Sequence, residues 1–202
     1  MRNFSSKSAR SVHHRCMLAL TAVMLLHAAL LGAAAESDGL RTVAANFYNL
    51  HLKLHPFGVP SEQDLAKFRP YLSGSLQGLL RDALRAEQSY ADQTGGKVPP
   101  LVESDLFTSL FEGATGFKIV SCEARQNAGS CMIEFVRQEP NQKPLRWQDP
   151  LYLLREPRAW VIADVEYLGD WQFMHKGRLK TVLKRVIEEG NKANAEGLRQ
   201  KK

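Results

Sequence analysis

His51 and His55 stand four residues apart, a spacing that puts two imidazoles on one face of a helix and is common among metal ligands. The residues between them, Leu52-Lys53-Leu54, supply no glutamate for a zincin arrangement, so neither a metal nor a cofactor is expected. His55 precedes Pro56 and falls in a last helical turn, where an imidazolium meets the negative end of the helix dipole. His51 lies in the direction of Leu40 and Phe47, with Tyr48 and His55 along one flank, and such a buried ring must find a hydrogen-bond partner. Asp164 and Glu166 supply paired carboxylates on one strand face, the pattern used for acid–base work or for holding a cation. At a sheet end the same pair is solvated and balanced by Arg155 or Lys176. If His51 hangs over Asp164, the carboxylate holds one tautomer of the ring and forms a proton relay, or a seat for an anionic or hydroxylated ligand. The pocket candidates are therefore Tyr48, His51, Asp164, Glu166 and Trp171. Trp147, Trp160 and Trp171 either line an apolar cavity or fill the core.

These residues need elements to hold them. Trp147 to Glu156 and Ala159 to Tyr167 are two strand-like runs around a Pro157-Arg158 turn, a hairpin signal. In the second run Val161, Ala163, Val165 and Tyr167 alternate with Trp160, Ile162, Asp164 and Glu166. Burial favours the first set under the helices, which sends Asp164 to solvent; a pocket requires the second. Two more strands, Phe117–Cys122 and Cys131–Val136, precede the hairpin. Joining Cys122 to Cys131 places Val120 opposite Ile133 and Lys118 opposite Phe135.

Helical spacing is clear in three places. Leu40, Val43, Ala44, Phe47, Leu50, His51 and Leu54 make a helix of about four turns that Pro56 stops. Ser61 opens a short helix ending before Pro70, and a longer one carries Leu72, Leu76, Leu79, Leu80, Ala83, Glu87 and Tyr90 to Gly95-Gly96. Leu179, Val182, Leu183, Val186 and Ile187 form the last stripe, backed by Lys176, Arg178, Lys180, Lys184 and Arg185, and Gly190 is expected to end it. The basic face reads as the solvated side of a core helix. Residues 97–116 are loop-like, yet Leu106 to Phe111 must bury somewhere. Helices, then four antiparallel strands, then a helix give an α+β fold, with N-terminal helices on one face of a curved sheet.

Composition bears on compartment. The chain has 202 residues, 44% hydrophobic and 24% charged, ordinary for a globular protein. Its net charge is +6, but Arg2, Lys7, Arg10 and Arg15 lie in residues 1–35 without any acid, which leaves +2. That is too dispersed for a nucleic-acid partner. A basic stretch, an apolar run from Met17 to Leu31 and small residues at Ala33 and Ala35 read as an export signal, with Glu36 as the new first residue. The alternative is an uncleaved anchor, since Cys16 to Ala35 almost spans a bilayer. Membrane contact is otherwise not expected, and Cys16 precedes the apolar run, so it is no lipidation site. In the oxidising periplasm, or outside the cell, Cys122 and Cys131 form a cross-hairpin disulfide. The domains are then a signal peptide over 1–35, one α+β domain over 36–190 and a polar, disordered tail over 191–202.

The element order resembles the cone-shaped fold of the nuclear-transport-factor-two-like, or cystatin-like, group. Trp160-Val-Ile-Ala-Asp-Val-Glu-Tyr-Leu-Gly-Asp-Trp171, the apolar helix beginning near Lys176-Gly177, and Ser104-Asp-Leu-Phe-Thr-Ser-Leu-Phe111 are similar to domain-of-unknown-function family 3828. That resemblance implies an exported or lipid-anchored bacterial protein over about residues 38–190 and brings no activity with it. The expected function is a non-enzymatic exported binding or interaction module for a small ligand or protein. The alternatives are a small hydrolase- or isomerase-like pocket enzyme using His51 and Asp164, and an inhibitor or immunity-type protein showing a large exposed patch.

Overall fold

The computed structural model describes residues 36–96, 101–157, 159–171 and 175–200. The export signal, Pro99-Pro100 and Arg158 of the expected turn lie outside the described residues, as does the end of the tail. Helix α1 covers 36–54, α2 Glu62–Phe68 and α3 Gly74–Thr94, with a 3-10 turn Arg69–Tyr71 between the last two. Strands β1 (Gly116–Arg125), β2 (Ala128–Arg137), β3 (Leu145–Glu156), β4 (Ala159–Tyr167) and β5 (Gly177–Arg178) follow, and α4 spans Leu179–Gln200. All five strands lie antiparallel in chain order in one open sheet. The arrangement is α+β as expected, with one extra strand. Two residues, Gly177 and Arg178, carry no periodicity to read.

Local signals explain the helix ends. Ser61 and Ser73 accept from Asp64 N and Leu76 N, each at 3.2 Å, and Gly95 closes α3 with φ +63°. α1 stops where His55 takes φ +43° ahead of Pro56. Gly190 does not end α4. A Cβ there would stand 2.7 Å from Ala86 Cβ, so the glycine lets α4 pack closely on α3 at Ala86, and the helix continues to Gln200.

α1 buries Leu40, Ala44, Phe47, Tyr48 and His51 on the inner face of the sheet. Its outer residues cover the free edge of β1: Ser37 donates to Cys122 O at 3.0 Å and Arg41 to Ile119 O at 3.0 Å. β4 is covered on its far side by β5 and by Ser73 N donating to Ile162 O at 2.8 Å. The chain itself thus covers the β1 edge at these two carbonyls and extends the sheet beyond β4.

Two bulges correct the expected registers. Cys122 faces Cys131 and the disulfide is formed, but an irregularity at Val120 pairs Ile119 with Ile133 and Phe117 with Phe135. The unbulged register would have put Lys118 beside fully buried Phe135; the bulge turns Phe117 and Ile119 inward and leaves Lys118 and Val120 exposed. In β4 the register slips at Ala163, so that Leu153 pairs with Ile162 and Tyr152 with Asp164. Trp160 and Ile162 therefore share the inner face with Val165 and Tyr167, and each expected face of β4 is half right. Asp164 and Glu166 turn to the outer face.

Glu36 ties the start of α1 to the β3–β4 hairpin. Its carboxylate accepts from Trp160 Nε1 at 2.7 Å and from Arg155, and these two bonds hold it below the ordinary carboxylate value of 4.5. A lowered carboxylate contributes stability above its unfolded value and loses it as pH falls through the folded one. The Trp160 indole N–H resonance is therefore expected to stay constant from pH 8 to 5 and to shift with a midpoint below 4.5. A midpoint at or above that value would mean that the contact is not made in solution.

Candidate functional site

The polar residues of the interior converge on the segment that looked like a loop. Residues 101–115 contain no helix or strand, yet Leu106, Phe107, Thr108 and Ser109 are at most 2% exposed. A buried irregular backbone must have every N–H and C=O matched. The sheet provides the opening. Arg155 N faces Asn127 O on the β2 side, so alternate residues 154, 152 and 150 face β4. Pro150 has no N–H to give β4, and the β3–β4 ladder ends at Leu151–Val165. Beyond that point Asp149 replaces the missing ladder bonds and the 101–115 segment inserts.

Asp149 is fully buried and its two oxygens receive four donors: Ser109 N at 2.8 Å, the Ser109 hydroxyl, Trp147 Nε1 at 3.0 Å and Leu168 N at 3.0 Å. Burial pushes this carboxyl up from its ordinary value, and the four bonds pull against that. Two phenols complete the cradle. Tyr48 donates to Phe107 O at 3.1 Å and Tyr167 to Leu106 O at 2.7 Å. Burial holds both phenols well above 10, so both remain donors at any physiological pH.

The acid–base pair of the interior is His51 with Asp105. His51 Nε2 lies 2.9 and 3.1 Å from the two Asp105 oxygens, and Phe107 N donates to Asp105 Oδ1 at 2.7 Å. Phe47, Tyr48 and Phe107 surround the ring. Among the described residues no protein group meets the buried His51 Nδ1. Gly113 passes so close that a Cβ would fall 2.4 Å from Asp105 Oδ2, and its φ of +75° suits only glycine. Next to Asp105, the Ser104 hydroxyl meets His175 Nε2.

The structure thus re-sorts the expected site. His51 does point inward, but the pairing with Asp164 is replaced by one with Asp105, because the Ala163 bulge takes Asp164 to the other face. There Asp164 accepts from Lys180 N at 3.1 Å and Val165 N at 3.0 Å, fastening the first turn of α4. Glu166 accepts from the Tyr152 hydroxyl at 2.6 Å and pairs at 3.4 Å with Arg178, not with Arg155 or Lys176. Tyr48 lies in the core and not at a rim. Trp171 packs edge-on against Trp147 at 5.5 Å, whereas Trp160 sits at the hairpin end with Glu36. Asp105, Asp149, Ser109 and His175 were not singled out. An aspartate beside a proline within a strand was the available signal for Asp149. Among the described residues, no group of three or more His, Cys, Asp or Glu is placed to hold a metal ion, and no helix is long and apolar enough to cross a membrane.

The chain is 30% identical over 131 residues to the "Uncharacterized lipoprotein YbjP" of Escherichia coli (strain K12), an alignment covering 65% of this chain and 67% of the relative. No family model and no solved structure matches the chain.

Proposed function

Since the chain belongs to the family of the uncharacterized lipoprotein YbjP, we propose that it is an exported, non-enzymatic binding or interaction module. One observation carries the non-enzymatic part. The acid–base groups His51, Asp105 and Asp149 are 1%, 6% and 0% exposed, and the carboxylates spend their oxygens on holding the 101–115 segment. A substrate reaches groups in that setting only if the core opens, and catalytic acids and bases need contact with the reacting atoms. The network serves as scaffold. Partner contact falls to the surface at the same end, where Phe57 is 59% and Leu168 53% exposed and Phe57 meets Phe111 edge-on. The assignment to domain-of-unknown-function family 3828 and the cone-shaped fold belong to the same proposal; the 104–111 and 160–171 segments that carry them are the two that Asp149 joins.

The test compares wild-type protein, purified from its native compartment, with folded His51→Asn. The expected result is a ligand or partner retained by both, and no ester or amide turnover that depends on His51. Turnover lost in His51→Asn with the fold intact would replace the module with an enzyme.

Export carries its own prediction. The mature chain begins at Glu36, and intact-mass measurement of the exported protein checks it. A membrane species that retains Met1 to Ala35 would make the segment an anchor.

A further inference from the structure

The outer face of the sheet carries a trough one strand wide at its hairpin end. Strand side chains alternate, so Ser130 of β2 and Tyr152 of β3 point away from the buried Cys131, Leu151 and Leu153. The register puts Glu123, Ser130 and Tyr152 in one row across three strands, and Arg125 and Ala128 in the next. Two small side chains on β2 thus lie between long ones on β1 and β3, whose backbones stand about 10 Å apart. The cleft between them has a volume of about 270 Å³, near the lower end of ligand sites at about 300 Å³. That is room for one ring of a ligand, with the rest in solvent.

The Tyr152 wall is fixed from behind. Its hydroxyl donates to Glu166 at 2.6 Å, and the Arg178 guanidinium lies over the ring, 4.3 Å from its centroid. Arg178 also pairs with Glu166 at 3.4 Å. Both partners come from the β4–β5 side, whereas the trough lies on the β2 side. The ring is therefore oriented before any ligand arrives, and a rigid aromatic surface costs little entropy to use.

The lining selects by charge. Glu123 and Arg125 stand 3.6 Å apart, both exposed, so the β1 wall offers an acceptor and donors with no net charge. An anion beside Arg125 meets the Glu123 carboxylate. A cation on Tyr152 meets Arg178 across the ring. A pyranose avoids both conflicts: its C–H face lies on the aromatic ring, and its hydroxyls both give and accept hydrogen bonds. We propose that this trough binds a neutral saccharide, with one sugar ring stacked on Tyr152 and its hydroxyls shared among Ser130, Glu123 and Arg125. The site lies at the opposite end of β4 from Leu168, so it stands whatever becomes of the partner contact there.

Amide NMR of the exported protein with methyl β-glucoside and N-acetylglucosamine tests it. Saturable shifts are expected at Ser130 and Tyr152, with a dissociation constant of about 1–10 mM, the weak range of a single open subsite. Tyr152→Ala removes the wall and Ser130→Leu fills the floor, and each weakens binding by at least about tenfold. Tetramethylammonium and inorganic phosphate leave the two amides unmoved. No saturable shift from either sugar up to about 50 mM, or binding that either folded variant keeps, would overturn the site. So would a larger response to the cation or to phosphate. Should Tyr152→Ala fail to fold, Ser130→Leu decides alone, since its side chain sits on the outer face.

Discussion

Asp149→Asn lowers the free energy of unfolding by about 2–3 kcal/mol, read as a fall in the urea midpoint at unchanged slope. The side chains are nearly isosteric, so the loss comes from donors without an acceptor. Ser109 N and Trp147 Nε1 meet one oxygen, and the Ser109 hydroxyl and Leu168 N the other. An amide presents one oxygen and two N–H donors. Turned one way, it faces both Ser109 N and Trp147 Nε1 with hydrogen. Turned the other way, the Ser109 hydroxyl rotates to accept, but Leu168 N–H is orphaned. Relief from burying a charge offsets part of the loss, which keeps the figure below that for removing a whole network. Glu166→Gln, on a partly exposed carboxylate, is the control and costs less than about 0.5 kcal/mol. A cost for Asp149→Asn as small as the control's would mean that the carboxylate does not hold the loop.

Removing the disulfide has an effect of similar size through a different route. Cys122 and Cys131 are nine residues apart in sequence and join β1 to β2 across the hairpin. Chain-entropy bookkeeping for a loop of that length predicts a loss of about 2.5 kcal/mol in the Cys122→Ala/Cys131→Ala double variant, most of it by freeing the unfolded chain. Alanine is the better probe than serine, because Cys131 is 1% exposed and a hydroxyl there would bury a second polar group. Thiol labelling of untreated protein should find neither cysteine free. Reductant should lower the urea midpoint of wild-type protein and leave the double variant unchanged. A wild-type protein indifferent to reductant would remove the disulfide from the account of stability.

The sequence by itself determined what depends on neighbours in the chain. The stripe Leu40, Ala44, Phe47, His51 had to face inward because helical spacing puts those residues on one side. Ser61 and Gly95 had to bound their helices through cap chemistry that spans a few residues, whereas the cap at Ser73, which leaves Leu72 outside α3, was not read. A disulfide between Cys122 and Cys131 followed from two strand-like runs about a turn. Tertiary structure decided whatever depends on which polar atom goes unmatched after packing. Nothing near Val120 or Ala163 in the chain marks a bulge; each follows from which side chains the helices leave room for on the inner face, and one slipped residue exchanges every face beyond it. That is why His51 was legible as an inward histidine while its carboxylate was misassigned. Gly190 likewise reads as a helix stop until α3 lies against it. Asp149 and Asp105 became central because Pro150 interrupts the ladder and a chain with no regular structure enters the gap, and a buried backbone of that kind must draw its hydrogen bonds from distant side chains.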